Sequence, residues 1–417
     1  MFPRLIALAF ALFPGLAPAA LTVATDFEGG SARGVTIDES TRTIRFMPGG
    51  DPARGWPCWW YLRADGATVG EELTFALTAS DQIITQKGGY EGKPLSADWS
   101  TPVRAAVSFD GKTWTQTAPG EKQPNGRTWR VKAEASTFWL AWGPPFTPKD
   151  ALELTRTLAA QVPGVEAYTL TKSREGRDVP ALRIHVGPRP THERFGVWAE
   201  ARCHAWESGG SWVGRGFAEW IATSPDDAAR WLRENAEVFV VPIMDFDHVA
   251  TGDGGKEALP QDHNRDWSDT PHWPEIAAAQ ARVTQLVKEG RLDVFLDLHN
   301  PGAANLATYF YTGEDSILTE AGLQNRTRFM DLARTHLTGP IPYDAKAAQA
   351  SGIKYHPLWR QMSTNWATLH ALPHTVALCL ETAWNTPFST SDGYRTTGAQ
   401  LAAAVAHYLQ ANPRPAK

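Results

Sequence analysis

The spacing of apolar residues divides the chain into two regimes. From residue 21 to about 145, short apolar-rich runs alternate with turn signals. Thr43-Ile44-Arg45-Phe46 is followed by Met47-Pro48-Gly49-Gly50, and Trp59-Trp60-Tyr61-Leu62-Arg63 by Asp65-Gly66. A further run covers residues 72–77, and the run from Val103 to Phe109 ends on Asp110-Gly111. Short strands bounded by Gly, Pro and Asp turns predict an all-β sandwich. Gly143-Pro144-Pro145 closes this region, because consecutive turn residues interrupt both periodicities.

Beyond it the rhythm changes. Thr147 is a candidate N-cap and Pro148 suits the first helical turn. Strands are expected at 182–186, 196–201, 238–242, 294–298 and 375–380, with helices at 211–222, 274–289, 316–335 and 398–410. Buried strands separated by helices predict an α/β domain over residues 146–417. Its central sheet should be mixed but mostly parallel, with helices on both faces. In such sheets ligands bind beyond the carboxyl ends of the strands.

Composition adds limits. The 417 residues carry 42% hydrophobic and 20% charged side chains, ordinary for a soluble globular chain, and a formal net charge of -5. That charge gives nucleic acid or an anionic membrane no electrostatic reason to bind. Residues 1–20 read as a signal peptide: Arg4, an apolar stretch, then small residues around Ala17-Pro18-Ala19. A secreted or periplasmic protein without membrane insertion after cleavage is expected. Of the 18 Trp, eight fall between 56 and 142, either as the aromatic core of the β region or as an exposed platform for sugars or peptides. The three cysteines Cys58, Cys203 and Cys379 are too few to build a fold on disulfides. A Cys203–Cys379 bridge competes with two buried free thiols, and the thiols are expected.

Chemistry concentrates at strand ends. His204-Ala205-Trp206-Glu207 follows an apolar run and places an imidazole and a carboxylate three residues apart. Both are good zinc donors, and a catalytic zinc takes three protein ligands with one open position. The same spacing recurs at His272-Trp273-Pro274-Glu275, which follows no apolar run and reads as a surface loop entering a helix. A third donor should come from another strand end. His299, closing Asp293-Val294-Phe295-Leu296-Asp297-Leu298-His299, is the candidate.

At this point the chain resembles the zinc carboxypeptidases, and within them the cytosolic-carboxypeptidase branch, whose catalytic domain follows a β-sandwich. The resemblance runs in unbroken order. Trp59-Trp60-Tyr61-Leu62-Arg63 is similar to that branch's aromatic strand, and the stretch from Phe138 to Thr147 to its exit into the catalytic domain. Ser173-Arg174-Glu175-Gly176-Arg177 is similar to the entry motif, and His204 to Glu207 with Ser208, Ser211 and Trp212 to the zinc motif. Asp262-His263-Asn264-Arg265 resembles the substrate-carboxylate motif, Asp297-Leu298-His299 the third-ligand motif, and Leu378-Cys379-Leu380-Glu381 the base-bearing strand.

The resemblance implies one Zn2+ held by His204, Glu207 and His299, with Glu381 as general base. It implies that Arg265 and Asn264 bind the free C-terminal carboxylate of a peptide. Asp262 would fix the tautomer of His204. Arg177 would approach the substrate backbone or form a structural salt bridge. The branch acts on acidic chain ends, and Arg360 would suit such a residue or lie on a helix surface.

Departures accompany it. The family's oxyanion Arg is missing, and Lys256 is the nearest cation, with a solvated loop lysine as its other reading. The usual Asn-Pro-Asp-Gly turn is Asp245-Phe246-Asp247-His248, Asn300-Pro301 replaces a small residue after the third ligand, and Tyr355 is the candidate for the family Tyr. Two other functions fit the same residues: a zinc amidase on acyl amino acids or cell-wall peptides, and a non-catalytic binding protein using the aromatic first domain.

Overall fold

The computed structural model describes residues 20–84, 91–411, 413 and 414. The signal sequence expected at 1–20 lies outside the described residues apart from Ala20.

Among the described residues ten strands precede the first α-helix: β1 (Thr22–Ala24), β2 (Arg33–Asp38), β3 (Thr43–Met47), β4 (Tyr61–Asp65), β5 (Glu72–Thr78), β6 (Ala106–Ser108), β7 (Thr115–Gln116), β8 (Glu121–Gln123), β9 (Gly126–Lys132) and β10 (Thr137–Ala141). They form two five-stranded sheets, β1-β4-β10-β6-β7 and β2-β3-β5-β9-β8. Alternation of buried and exposed residues along β5 shows why they pair face to face: Leu73, Phe75 and Leu77 point inward while Glu72 and Thr78 are exposed. Aromatic rings lock the faces together. Trp60 packs on Trp129 at 5.3 Å between ring centres, and Phe75 on Phe138 at 5.8 Å. Most of the Trp cluster is therefore core.

The second domain opens with α1 (Pro148–Gln161), where the Thr147 amide donates to Asp150 Oδ2 at 2.7 Å. Its strands are β11 (Val165–Lys172), β12 (Asp178–Ile184), β13 (Phe195–Ala201), β14 (Ala236–Val241), β15 (Leu292–His299), β16 (Tyr309–Thr312), β17 (Gln349–Ala350) and β18 (Val376–Glu381). The sheet order is β11-β12-β14-β13-β15-β18-β16-β17. The central neighbours β14-β13-β15-β18 run parallel, and the pairings β11-β12, β12-β14 and β16-β18 are antiparallel. Every residue of β13, β14 and β15 is buried, as a parallel sheet covered on both faces requires. The helices are α2 (Ser208–Thr223), α3 (Asp227–Asn235), α4 (Phe246–Thr251), α5 (Pro274–Lys288), α6 (Glu320–His336), α7 (Ser363–His370) and α8 (Ser391–Gln410). α2, α3 and α6 all pack on α8, and α5 and α7 cover other parts of the sheet. Among the described residues no helix is long and apolar enough to cross a membrane.

The two domains share a seam. Leu259, Gly255 and Trp56 exchange backbone hydrogen bonds across it: Leu259 N to Ala53 O at 2.8 Å, Gly255 N to Arg54 O at 3.0 Å and Trp56 N to Lys256 O at 2.9 Å. Arg54 Nε donates to Asp253 Oδ2 at 2.6 Å. Trp142 of the first domain packs on Trp384 at 4.5 Å and on Trp206 at 5.0 Å. Gly143 is required there, because a Cβ would come within 2.3 Å of the Trp384 ring.

Candidate active site

Three strand ends and one turn deliver the chemistry. β13 ends at Ala201, and Arg202 then takes a left-handed conformation with φ 66°. Its buried guanidinium donates to the Ala205 carbonyl at 2.7 Å and the Phe146 carbonyl at 3.1 Å, which holds the reversal that presents His204. Glu207 stands immediately before α2. β15 ends at His299 and β18 at Glu381, and these two residues are register partners. A 3-10 turn, His263–Arg265, is capped by Asp262, which accepts from Asn264 N at 2.8 Å.

His204, Glu207 and His299 meet. Glu207 Oε1 lies 2.8 Å from His204 Nδ1, and Oε2 lies 2.7 Å from His299 Nδ1. All three side chains are buried. The far nitrogens are held by carboxylates: His204 Nε2 is 3.2 Å from Asp262 Oδ1, and His299 Nε2 is 2.9 Å from Asp297 Oδ2. An ionised carboxylate only accepts, so each Nε2 carries the proton and each Nδ1 is turned toward the shared centre. Burial opposes charge on His299, yet Asp297 and Glu207 push its imidazole well above the usual range. The Glu207 carboxyl is held well below its usual range, against burial, by His204 and His299. Two imidazoles drawn toward one carboxylate occupy the place of a divalent cation, and two nitrogens with an oxygen suit zinc. The three donors open onto a cavity of about 260 Å³ whose wall also holds Lys256, Asn264, Arg265, Tyr309, Tyr311 and Glu381.

Comparison with known proteins agrees with this geometry. Residues 151–385 match the zinc carboxypeptidase family and residues 23–142 match the cytosolic carboxypeptidase N-terminal domain. The first match covers more than half of the chain. The chain belongs to the zinc carboxypeptidase family. It is a metallocarboxypeptidase, hence a hydrolase, and zinc is its cofactor. Human cytosolic carboxypeptidase 4 is 37% identical over 257 residues, covering 54% of this chain and 23% of the human protein. The chain thus spans about a quarter of that relative's length. An uncharacterized protein of Zymomonas mobilis is 24% identical over 285 residues, 68% of each chain. The metallo-carboxypeptidase from Burkholderia cenocepacia has the same fold, with a TM-score of 0.76 at 19% identity, over 94% of this chain and 100% of that one. The metallo-carboxypeptidase from Pseudomonas aeruginosa, solved with (2-guanidinoethylmercapto)succinic acid, gives 0.73 at 20% identity over 94% and 100%.

In this carboxypeptidase Glu381 borders the cavity, and its Oε2 has no hydrogen-bond partner among the described residues. Burial raises its pKa to about 7, where a carboxylate can exchange protons at neutral pH. Lys256 also faces the cavity. Burial works against its charge, but Tyr355, Asp262 and Glu207 keep its pKa above the usual value. Asn264 Oδ1 accepts from Ser363 N at 3.1 Å, and Arg265 Nη1 donates to the Asn264 carbonyl at 2.8 Å, while its Nε has no partner among the described residues. Tyr355 lines the wall, with its ring 5.2 Å from that of Tyr311. Asn300 replaces a small residue to local advantage. It accepts from Gly210 N at 2.9 Å and donates to the Thr382 carbonyl at 2.6 Å, tying α2 to the end of β18.

Two expected residues stand elsewhere. Arg177 is not on the cavity wall. Its guanidinium donates to Asp247 Oδ1 at 2.6 Å and Glu175 Oε2 at 2.5 Å, so it is a structural salt bridge and the substrate-binding assignment is corrected. Arg360 is exposed and stacks over Trp359 at 4.7 Å, also off the wall. The three cysteines are buried free thiols, Cys203 Sγ lying 3.7 Å from Glu200 Oε1.

Other contributors had not been singled out. Asp297 orients His299, and Ser363 Oγ donates to the same Asp297 oxygen. Trp99, from the first domain, lines the cavity beside Trp206, with ring centres 6.0 Å apart. The Asp297-x-His299 spacing carried a signal, since a carboxylate two residues before a strand-end His lies on the same face. Trp99 was visible only as one of the eight Trp between 56 and 142, because its contact is tertiary.

Proposed function

We propose that this chain removes the C-terminal residue from peptides, with His204, Glu207 and His299 as the zinc ligands. The observation that carries the reading is the convergence of that triad, Glu381 and the Asn264-Arg265 pair on one cavity wall. Zinc bound there would supply Lewis acidity toward a carbonyl oxygen and acidify water. Glu381 takes the water proton and hands it to the departing amine. Arg265 pairs its planar fork with the free carboxylate, and Asn264 adds a donor, which restricts cutting to chain ends. Lys256 places positive charge where the carbonyl oxygen becomes anionic. Asp262 and Asp297 hold the two imidazoles in register.

Release of an acidic residue is the branch's expectation, with Lys256 and Arg265 as the cations facing the cavity among the described residues. With Arg265 engaged by the terminal carboxylate, Lys256 is left to meet an acidic side chain or the developing oxyanion. Ser351, Met362, Thr364 and Cys379 add uncharged side chains to a wall that also carries Tyr309, Tyr311 and Tyr355. We further infer export to a secreted or periplasmic location from the sequence of residues 1–20. Cell fractionation with N-terminal sequencing tests this; protein retained in the cytoplasm with Met1 intact would overturn it.

The deciding experiment offers paired peptides with free and amidated C-termini to wild type and Glu381→Gln. Loss of one residue only from the free peptides, abolished in the variant with zinc retained, is the expected result. Equal turnover of amidated peptides would favour an amidase. Equal turnover by the variant would remove Glu381 from the mechanism.

A further inference from the structure

We propose that Asp245, His248 and His263 form a second divalent-metal site, separate from the His204–Glu207–His299 centre, that clamps the turn bearing Asp262, Asn264 and Arg265. One donor atom from each of the three lies within 4.8 Å of the others, and all three residues are buried. Two imidazoles and a carboxylate are a donor set for zinc or a neighbouring transition metal.

The hydrogen bonding of this cluster is incomplete. His248 Nδ1 lies 2.7 Å from Asp245 Oδ1 and 2.9 Å from Oδ2. His263 Nδ1 lies 3.6 Å from Asp245 Oδ2, too far for a hydrogen bond. Among the described residues His263 Nδ1 has no hydrogen-bond partner, although the residue is only 1% exposed. A buried ring nitrogen left without a partner is destabilising unless something binds it. The 3.6 Å gap is close to the separation of about 3.4 Å expected for two donors on one tetrahedral zinc.

A second orphan points the same way. Among the described residues Glu275 Oε2, which is buried, has no hydrogen-bond partner. Burial, with the nearby negative charges of Asp245 and Asp247, raises its pKa to about 8. Arg177 pairs with Asp247, which leaves the Asp245 and Glu275 carboxyl groups on the His248 side without an arginine or lysine hydrogen-bonded to them among the described residues. A bound divalent ion would supply the positive charge.

Placement gives the site a role. Asp245 and His248 belong to the start of α4, and His263 to the turn His263–Arg265. A Cβ on Gly255 would come within 2.2 Å of Asp245 Oδ2, so the cluster also backs the loop that presents Lys256. A metal here would fix Asp262, Asn264, Arg265 and Lys256 relative to the catalytic centre without touching substrate. Asp245 and His248 stand where the family resemblance leads one to expect Asn and Gly, so this chain brings its own donors.

The test is zinc stoichiometry of the full chain after chelation and reconstitution with Zn2+, together with a zinc-edge anomalous map of the wild type. Two zinc ions per chain are expected, falling to one in His204→Ala and to one in His248→Ala or His263→Gln. A second anomalous peak between Asp245, His248 and His263 is expected whether or not peptides are cleaved, so this result is independent of the catalytic reading. One zinc per wild-type chain, with anomalous density confined to His204, Glu207 and His299, would overturn the proposal. The map needs no variant to fold.

Discussion

The ammonium of Lys256 lies 5.4 Å from the centre of the Trp56 ring, across the boundary between the two domains. Trp56 also donates its backbone N–H to the Lys256 carbonyl. Lys256 is therefore positioned by the sandwich. A cation–π contact of this kind is worth about 0.5–2 kcal/mol. Trp56→Leu should lower kcat about two- to thirtyfold with KM little changed. Lys256→Ala should lower kcat about 10²–10³-fold. Steady-state kinetics on one peptide checks both; unchanged kcat in Lys256→Ala would remove Lys256 from the reaction.

Arg265→Ala should raise KM for free-carboxylate peptides about a hundredfold, from loss of a charge-assisted bidentate contact worth about 1.5–3 kcal/mol. Discrimination against amidated peptides should vanish with it. Retained discrimination would place carboxylate recognition elsewhere.

Asp297→Asn should weaken zinc binding about 10–100-fold, because the carboxylate that orients His299 becomes an amide that can present the wrong group. Asp262→Asn should do the same through His204. Competition with a chromophoric chelator reads the affinity. Parity with wild type would mean that packing alone orients the rings.

Glu275 sets a pH dependence that can be followed without substrate. Its folded pKa of about 8 lies above the ordinary carboxylate value of 4.5, so the folded chain holds a proton that the unfolded chain releases. The resulting stability is fully present below about pH 4.5 and is lost as pH rises toward 8. In metal-free protein Glu275→Gln should raise the melting temperature by a few degrees at pH 8 and leave it unchanged at pH 4.5. The upper bound at pH 7 is roughly 3 kcal/mol. An equal shift at both pH values would assign the effect to packing.

Alkylation of unfolded, unreduced protein should add three adducts per chain, one for each free thiol. Mass spectrometry counts them. A single adduct would reveal a Cys203–Cys379 bridge.

Much of the architecture was legible because the strands that matter are buried on both faces. Strands expected at 196–201 and 294–298 are observed as Phe195–Ala201 and Leu292–His299, and the helix start at Thr147-Pro148 is where its residues place it. The edge strand Val165–Lys172 escaped, since its residues are mostly part-exposed and lack a continuous apolar run. The helix expected from 316 begins at Glu320, because Asp315–Ile317 forms a separate 3-10 turn and Thr319 is the cap. In the site, strand-end His and Glu were readable from their positions. Arg177 was not, because only the fold reveals that Asp247, seventy residues away, claims its guanidinium. Asp245 and His248 were noted as departures, but their meeting with His263 depends on how α4 packs against a distant turn.

Trp99 extends the reach of the front half into the cleft. A catalytic half cut free of its partner would keep its metal ligands and its acid, yet lose one side of the doorway. Exchanging the front halves of related enzymes should therefore alter the mouth of the cleft and, through Trp56, the seat of Lys256 together.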